Sequence, residues 1–149
     1  TTLFRSVDVI GRFLNMGVEP YQFVSALNCV LAQRLVRLIC SHCKRPVVID
    51  PKLLEESAMD PALARSHTFY EGAGCIECGG TGFKGRMAIC ELLDLTDHIR
   101  EIILERRPIS EVKRAAKEQG MRLLRESAVE RVLEGLTTLR EINKVTFVE

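Results

Sequence analysis

Cys40-Ser-His-Cys43 and Cys75-Ile-Glu-Cys78 form two CxxC pairs separated by 31 residues. A CxxC turn lets two sulfurs meet one tetrahedral ion while backbone N–H groups of the turn point at them. Glycines after the second cysteine, here Gly79 and Gly80, ease that geometry. Two such knuckles complete a closed four-thiolate site, the structural zinc type, with no position left open for a substrate. Cys40, Cys43, Cys75 and Cys78 are therefore the expected metal ligands. The spacer is longer than the ~15–20 residues of a compact ribbon, so it is expected to be a folded insertion. The competing chemistry is a redox dithiol, but neither CxxC opens a helix after a strand as thioredoxin-like sites do. Four unrelated buried thiols would require the matched pairs to arise by chance. His42, inside the first knuckle, is expected to point outward once four thiolates are available. Cys29, read on a helix, and Cys90, read in an apolar strand, are expected to be small core residues. His67 and His98 have no visible partners and receive no role.

The glycines around Lys84 raise a second chemistry, a phosphate-cradling loop. A Walker loop needs Gly-Lys-Ser/Thr, with the hydroxyl placed to hold Mg²⁺. Here Lys84 follows Phe83 and precedes Gly85, so the pattern fails. No paired carboxylates and no nucleophile–base arrangement occur elsewhere, so no catalytic or nucleotide-binding residue is expected in this chain.

The elements around the cysteines follow from periodicity. Val7, Ile10, Phe13 and Leu14 share a helical face, and Gly17 is a plausible stop. Pro20 opens a second helix with Phe23, Leu27, Val30 and Leu31 as its inner stripe. Beyond Gln33 the segment to Cys40 fits either helix or strand. From Cys40 to Gly85 the amphipathic rhythm gives way to prolines and glycine clusters, with one short helix expected near Pro51–Met59. Arg86–Leu93 reads as a buried strand. Three helical stripes follow, on Leu95/Ile99/Ile102/Ile103, Ile109/Val112/Ala115/Ala116 and Leu124/Ala128/Val132/Leu133, the last two ended by Gly120 and Gly135. Thr138-x-x-Glu141 fits a capping box.

The bulk properties exclude several classes. A chain of 149 residues can bury a core without covalent staples. A net charge of +1, with acidic and basic residues interleaved, gives no phosphate-binding stripe and no expectation of nucleic acid. No apolar run reaches the ~20 residues of a membrane span, and no signal peptide is visible. Six cysteines without a secretory segment read as thiols in a reducing, cytosolic compartment rather than as disulfides. The start on Thr1-Thr2-Leu3, without methionine, leads to the expectation of a fragment whose upstream part is missing.

In combination these residues resemble the C-terminal portion of the ATPases that drive type II secretion and type IV pilus assembly. The resemblance begins with Arg12-Phe-Leu-Asn-Met-Gly-Val-Glu-Pro20 and Leu31-Ala-Gln-Arg-Leu-Val-Arg37, and runs through Cys40-x-x-Cys43. It resumes at Gly74-Cys-x-x-Cys78-x-Gly-Thr-Gly-Phe-x-Gly-Arg86 and Glu91-Leu-Leu93, then Gly120-Met121, Leu124, Gly135-Leu-Thr137 and Glu141. It implies an α/β fragment, mostly α. Residues 1–39 would be the last part of a RecA-like core, 40–85 a tetracysteine zinc module, 86–94 a returning core strand and 95–149 a C-terminal helical subdomain. It also implies that Arg34–Ile39 is a strand pairing with Arg86–Leu93. The parent would be a hexameric motor at the cytoplasmic face of the inner membrane, using ATP and Mg²⁺ to move pilin or pseudopilin subunits through a membrane platform protein. This chain, lacking the Walker boxes, would be inactive alone and serve structural, subunit-contact and partner-docking roles. The motifs do not separate the secretion branch from the pilus branch; the reading leans to secretion.

Two other classes use the same cysteines. Cys75-x-x-Cys78-x-Gly-x-Gly82 also resembles the repeat of J-domain chaperone zinc cradles, but those use several copies and the first pair continues as Lys-Arg-Pro. A zinc-ribbon nucleic-acid binder would need the basic–aromatic interleaving that is missing here.

Overall fold

Helix α1 (Ser6–Asn15) packs Val7 and Ile10 inward and stops before Gly17, whose φ of +79° suits a residue without Cβ. Helix α2 (Pro20–Ala26) starts on proline, which supplies the helical φ at a position whose N–H would be unpaired anyway. The computed structural model describes residues 5–148. Among them are eight α-helices and four strands, in the order α1, α2, β1 (Cys29–Ile39), β2 (Lys44–Val47), α3 (Pro51–Glu56), α4 (Pro61–Ser66), β3 (Phe69–Gly72), β4 (Phe83–Asp94), α5 (Asp97–Leu104), α6 (Ile109–Glu118), α7 (Leu124–Leu133) and α8 (Leu139–Val145).

The second helix ends earlier than its apolar stripe predicts. Leu27 leaves the helix with ψ of 133°, and Val30 and Leu31 belong to β1. The ambiguous segment up to Cys40 is thus strand throughout. Its side chains alternate in exposure, Leu31 and Leu35 outward and Val36 and Ile39 buried near its end. Alternation at period two outweighs the spacing at three and four that the sequence also carries. β1 pairs with β4 in one two-stranded sheet, and the bonds Leu95 N–H to Asn28 O and Cys40 N–H to Gly82 O, both 2.9 Å, flank the pair. The Arg86–Leu93 run is not buried throughout. Ile89, Glu91 and Leu93 face inward while Ala88, Cys90 and Leu92 are exposed. Cys29 and Cys90 therefore lie on strands and are exposed, not core residues.

The chain forms two compact units, each discontinuous in sequence. One holds the described residues up to Gln33 together with Cys90–Leu124; the other holds Arg34–Ile89 and the described residues from Arg125 onward. In the first, α1, α2, α5 and α6 enclose a core that includes Ile10, Phe23, Leu93, Leu95, Ile99, Ile103 and Val112. Full burial of each such Ile or Leu contributes roughly 1.5–3 kcal/mol. The rings of Phe13 and Phe23 stack at 5.2 Å. The Arg100 guanidinium donates to the carbonyls of Val24 and Leu27, closing the C-terminal end of α2.

Among the described residues of that unit, Glu91 is the one buried carboxylate. It accepts from Ser6 N–H at 2.8 Å, the Ser6 hydroxyl, and Leu124 N–H at 2.9 Å, so it closes the N-terminal turn of α1 and the first residue of α7. Two helix N-termini supply the positive partial charge that a cation would otherwise provide.

In the second unit, β2 and β3 pair antiparallel, Lys44 opposite Gly72 and Val47 opposite Phe69. Between them lie two short helices where one was expected. Both open on Asp-Pro: Asp50 accepts from Lys52 N–H at 2.9 Å and Asp60 from Ala62 N–H at 2.8 Å, with proline at the first helical position. The signal for α4, Asp60-Pro61, thus repeats the one for α3. The side chain of Arg125 holds this insertion to the C-terminal helices, donating to Ser57 O, Asn143 Oδ1 and Thr146 Oγ1. These are neutral acceptors, and burial pushes the guanidinium pKa down.

Candidate metal centre

Each knuckle is held by a different local device. Cys40 directly follows β1 and is buried, and its N–H is fixed to Gly82 O. Residues 41–43 turn the chain straight into β2. On the other side, Cys75 enters a 3₁₀ turn (Ile76–Cys78) closed by Gly79 at φ +64°. The strands β2 and β3 bring the two knuckles together, and Ala73 N–H donates to Cys43 O at the end of that ladder.

The meeting requires backbone to pass directly over backbone. A Cβ on Gly72 would lie 2.0 Å from Gly82 O, and one on Gly74 would lie 2.8 Å from Gly80 O. No side chain fits at Gly72 without moving main chain. This is a close approach of the kind glycine permits, and it brings the segments before and after the second knuckle into contact.

The result is a four-sulfur cluster. The Sγ atoms of Cys40, Cys43, Cys75 and Cys78 all lie within 4.8 Å of one another. Three of the separations are 3.8 Å (Cys40–Cys75), 3.9 Å (Cys43–Cys78) and 3.7 Å (Cys75–Cys78). A tetrahedron with Zn–S bonds of ~2.3 Å has S–S edges of roughly 3.8 Å, so the donor set fits one such ion. His42 is exposed and does not belong to the cluster. His67 sits at the end of α4, its Nδ1 within 3.0 Å of both Ser66 Oγ and Leu63 O.

Backbone amides aim at the sulfurs as a thiolate site requires. Gly74 N–H donates to Cys43 Sγ at 3.3 Å, and Cys75 N–H and Gly82 N–H both donate to Cys78 Sγ at 3.2 Å. At Cys78 desolvation opposes ionisation, but the two amides and the neighbouring thiols of Cys75 and Cys43 prevail and bring the pKa down to about 6. At Cys43 desolvation and the crowding of the other three thiols outweigh the single Gly74 amide, and the pKa rises to about 11. Cys78 is ready to ionise while Cys43 resists; a divalent cation would relieve that resistance.

The family model described as "Type II/IV secretion system protein" matches residues 4–144. The chain belongs to this secretion-system family. The match takes in all four cysteines and both units. Among its relatives, the type IV pilus assembly ATPase PilB of Thermus thermophilus is 44% identical over 92% of this chain and 15% of its own length. PilB of Myxococcus xanthus is 37% identical over 89% of this chain and 24% of its own length. The type II secretion system protein E of Pseudomonas aeruginosa is 37% identical, covering 95% of this chain and 28% of that protein. The family member described here thus spans between about one seventh and somewhat over a quarter of these relatives.

Sequence reasoning did not anticipate Gly72 and Gly74 as parts of the centre, although Gly72-Ala-Gly74 just before Cys75 carried the signal. Nor did it anticipate where Glu141 points. Thr138 Oγ1 accepts from Glu141 N–H at 3.3 Å, half of the expected capping box. The carboxylate turns away to Arg37 and Lys144.

Proposed function

We propose that this chain is the zinc-bearing C-terminal part of a hexameric ATPase that powers type II secretion or type IV pilus assembly at the cytoplasmic face of the inner membrane. The observation that carries the reading is the four-sulfur cluster within a chain that matches the secretion-system family over residues 4–144. Relatives from both branches match, so the reading covers both.

Within it, Cys40, Cys43, Cys75 and Cys78 hold a structural zinc ion, which supplies a crosslink between the two knuckles. The residues around it orient the sulfurs through the Gly74, Cys75 and Gly82 amides and fix the crossing of the two backbone segments. The parent's nucleotide chemistry, with ATP and Mg²⁺, belongs to a RecA-like core of which this chain carries the last part. Its helices form the C-terminal subdomain that covers that core and contributes to subunit contacts. The chain alone is not an ATPase, and its partners are inner-membrane platform proteins and further copies of the parent.

The deciding experiment is zinc content per chain after purification under reducing conditions, together with magnesium-dependent ATP turnover. One zinc per chain and no turnover are expected. Free thiols without metal would remove the crosslink from this reading, and turnover surviving controls would refute the claim of inactivity.

A further inference from the structure

A cleft of about 430 Å³ opens in the second unit beside the end of β2, the start of α3 and one face of α8. Its apolar lining includes Phe69, Phe83 and Leu139, and none of the four cysteines reaches it. A volume in this range is ordinary for a binding site.

The charges on its walls are unequally engaged. Asp50 caps α3, and Glu71 is taken by Arg45 at 2.9 Å. Glu141 serves two cations at once, Arg37 at 2.6 Å and Lys144 at 3.1 Å. Arg140 is exposed and has no partner among the described residues. Every carboxylate is therefore occupied, while the cations have capacity for one more.

A third feature lies on the lip. The last β2–β3 pair is Val47 with Phe69, and beyond it Val48 and Ile49 make no backbone hydrogen bond among the described residues. Val48 is 95% exposed. Unpaired main chain next to an apolar cleft is what a peptide uses when it docks by strand addition, with side chains entering alternate pockets.

We propose that this cleft is a docking site for an extended partner peptide in which an aliphatic side chain fills the space between Phe69 and Leu139 and an acidic residue meets Arg140 and Lys144. The unpaired main chain at Val48–Ile49 favours a peptide over a nucleotide, which would use the aromatic and cationic groups but not the strand edge. The proposal is independent of the metal and of the parent's motor activity.

The test is selection of a random heptapeptide library on the immobilised 149-residue chain, followed by fluorescence anisotropy with the recovered peptides. Recovered sequences are expected to carry an aliphatic residue within two positions of Asp or Glu. They should bind at least fivefold more weakly to Arg140→Glu and to Val48→Asp, both surface substitutions whose folding is checked by hydrogen exchange. Recovery of no peptide, of sequences without acidic residues, or of peptides that bind the variants equally well would overturn it. Displacement of the peptides by ATP, with matching chemical-shift changes at Phe83 and Arg140 from ATP alone, would reassign the cleft to a nucleotide.

Discussion

Arg37, on β1, and Glu141, on α8, lie 104 residues apart in sequence and meet through an Nη2–Oε1 contact of 2.6 Å. The same carboxylate accepts from the Arg37 N–H and from Lys144, and the guanidinium sits 4.2 Å over the Phe83 ring. Thr137 Oγ1 adds a bond to Arg37 O at 2.8 Å, and Ile39 N–H adds one to Leu136 O at 2.9 Å. The segment from Leu136 to Glu141 is thus bound to the strand that leads directly into Cys40.

This pairing has an acid signature. The hydrogen bond from Arg37, helped by Lys144, holds the Glu141 carboxyl at about 2, against an ordinary value of 4.5. A carboxylate depressed on folding stabilises the protein fully above its unfolded pKa, and that contribution disappears as pH falls from about 4.5 to about 2. The displacement corresponds to roughly 3 kcal/mol. Arg37 is 44% exposed, so screening leaves about 1–2 kcal/mol of it. Glu141→Gln should lower the urea midpoint at pH 7, and the difference from the unaltered chain should shrink steadily below pH 4.5. A difference that does not change with pH would mean the carboxylate charge plays no part.

Zinc removal should act unevenly. The cluster ties Cys40–Cys43 to Cys75–Cys78, whereas the first unit is held by the Ile10–Phe23–Leu93–Ile99 core, which contains none of the cysteines. Chelation under reducing conditions is expected to release amide protection first in residues 40–47 and 69–83. Helices α1, α2, α5 and α6 should stay protected. Because Arg125 and Asn143 both bond Ser57, α8 should loosen with the insertion. Simultaneous loss of protection everywhere would show a single cooperative unit instead.

The glycine crossing gives a sharper test. Gly72→Ala places a Cβ 2.0 Å from Gly82 O, so two main-chain segments must separate and the sulfurs with them. The expected result is loss of stoichiometric zinc and an unstable insertion. Gly79→Ala is the control: its φ is +64° but the space around it is open, so strain of about 1–2 kcal/mol is expected and zinc should be retained. Equal zinc content and stability in both variants would refute the close-approach argument.

The clustering of the four cysteines was legible because its signal is local: each CxxC turn is written in four residues, and only the meeting of the two needed the fold. Helix ends at Gly17, Gly120 and Gly135 were legible for the same reason, since each has φ between +75° and +92°. The failures came where local signals conflicted or partners lay far away. Leu27, Val30 and Leu31 suit a helix by spacing, yet the last two belong to β1, which pairs with β4. Cys90 sits among apolar neighbours in sequence, but strand alternation turns it outward. Glu141 looked like a capping residue because Arg37 cannot be seen from 104 positions away.

Buried Glu91 offers a comparable test in the first unit. Among the described residues it has three donors and no cation, so its replacement leaves the N–H groups of Ser6 and Leu124 without an acceptor. Unpaired buried donors cost about 1–3 kcal/mol each. Glu91→Ala should therefore destabilise by roughly 3 kcal/mol or more, with hydrogen exchange rising at the start of α1 and of α7. Glu91→Gln keeps one acceptor oxygen and should cost less. Equal losses for the two variants would point to side-chain volume rather than hydrogen bonding.

The six thiols should separate into two classes. Cys29 and Cys90 are exposed, whereas Cys40, Cys43, Cys75 and Cys78 converge on one point. A thiolate bound to zinc in a closed site reacts slowly because its lone pairs are engaged and the metal must leave first. Iodoacetamide added to the zinc-loaded chain should alkylate two cysteines quickly, identified by peptide mass as Cys29 and Cys90. The remaining four should react only after a chelator is added, and together rather than one by one. Cys29→Ser with Cys90→Ser should abolish the fast phase and leave zinc content unchanged. Four or more fast thiols in the loaded chain would contradict a closed centre, and alkylation of one knuckle without the other would show that the two pairs do not share one ion.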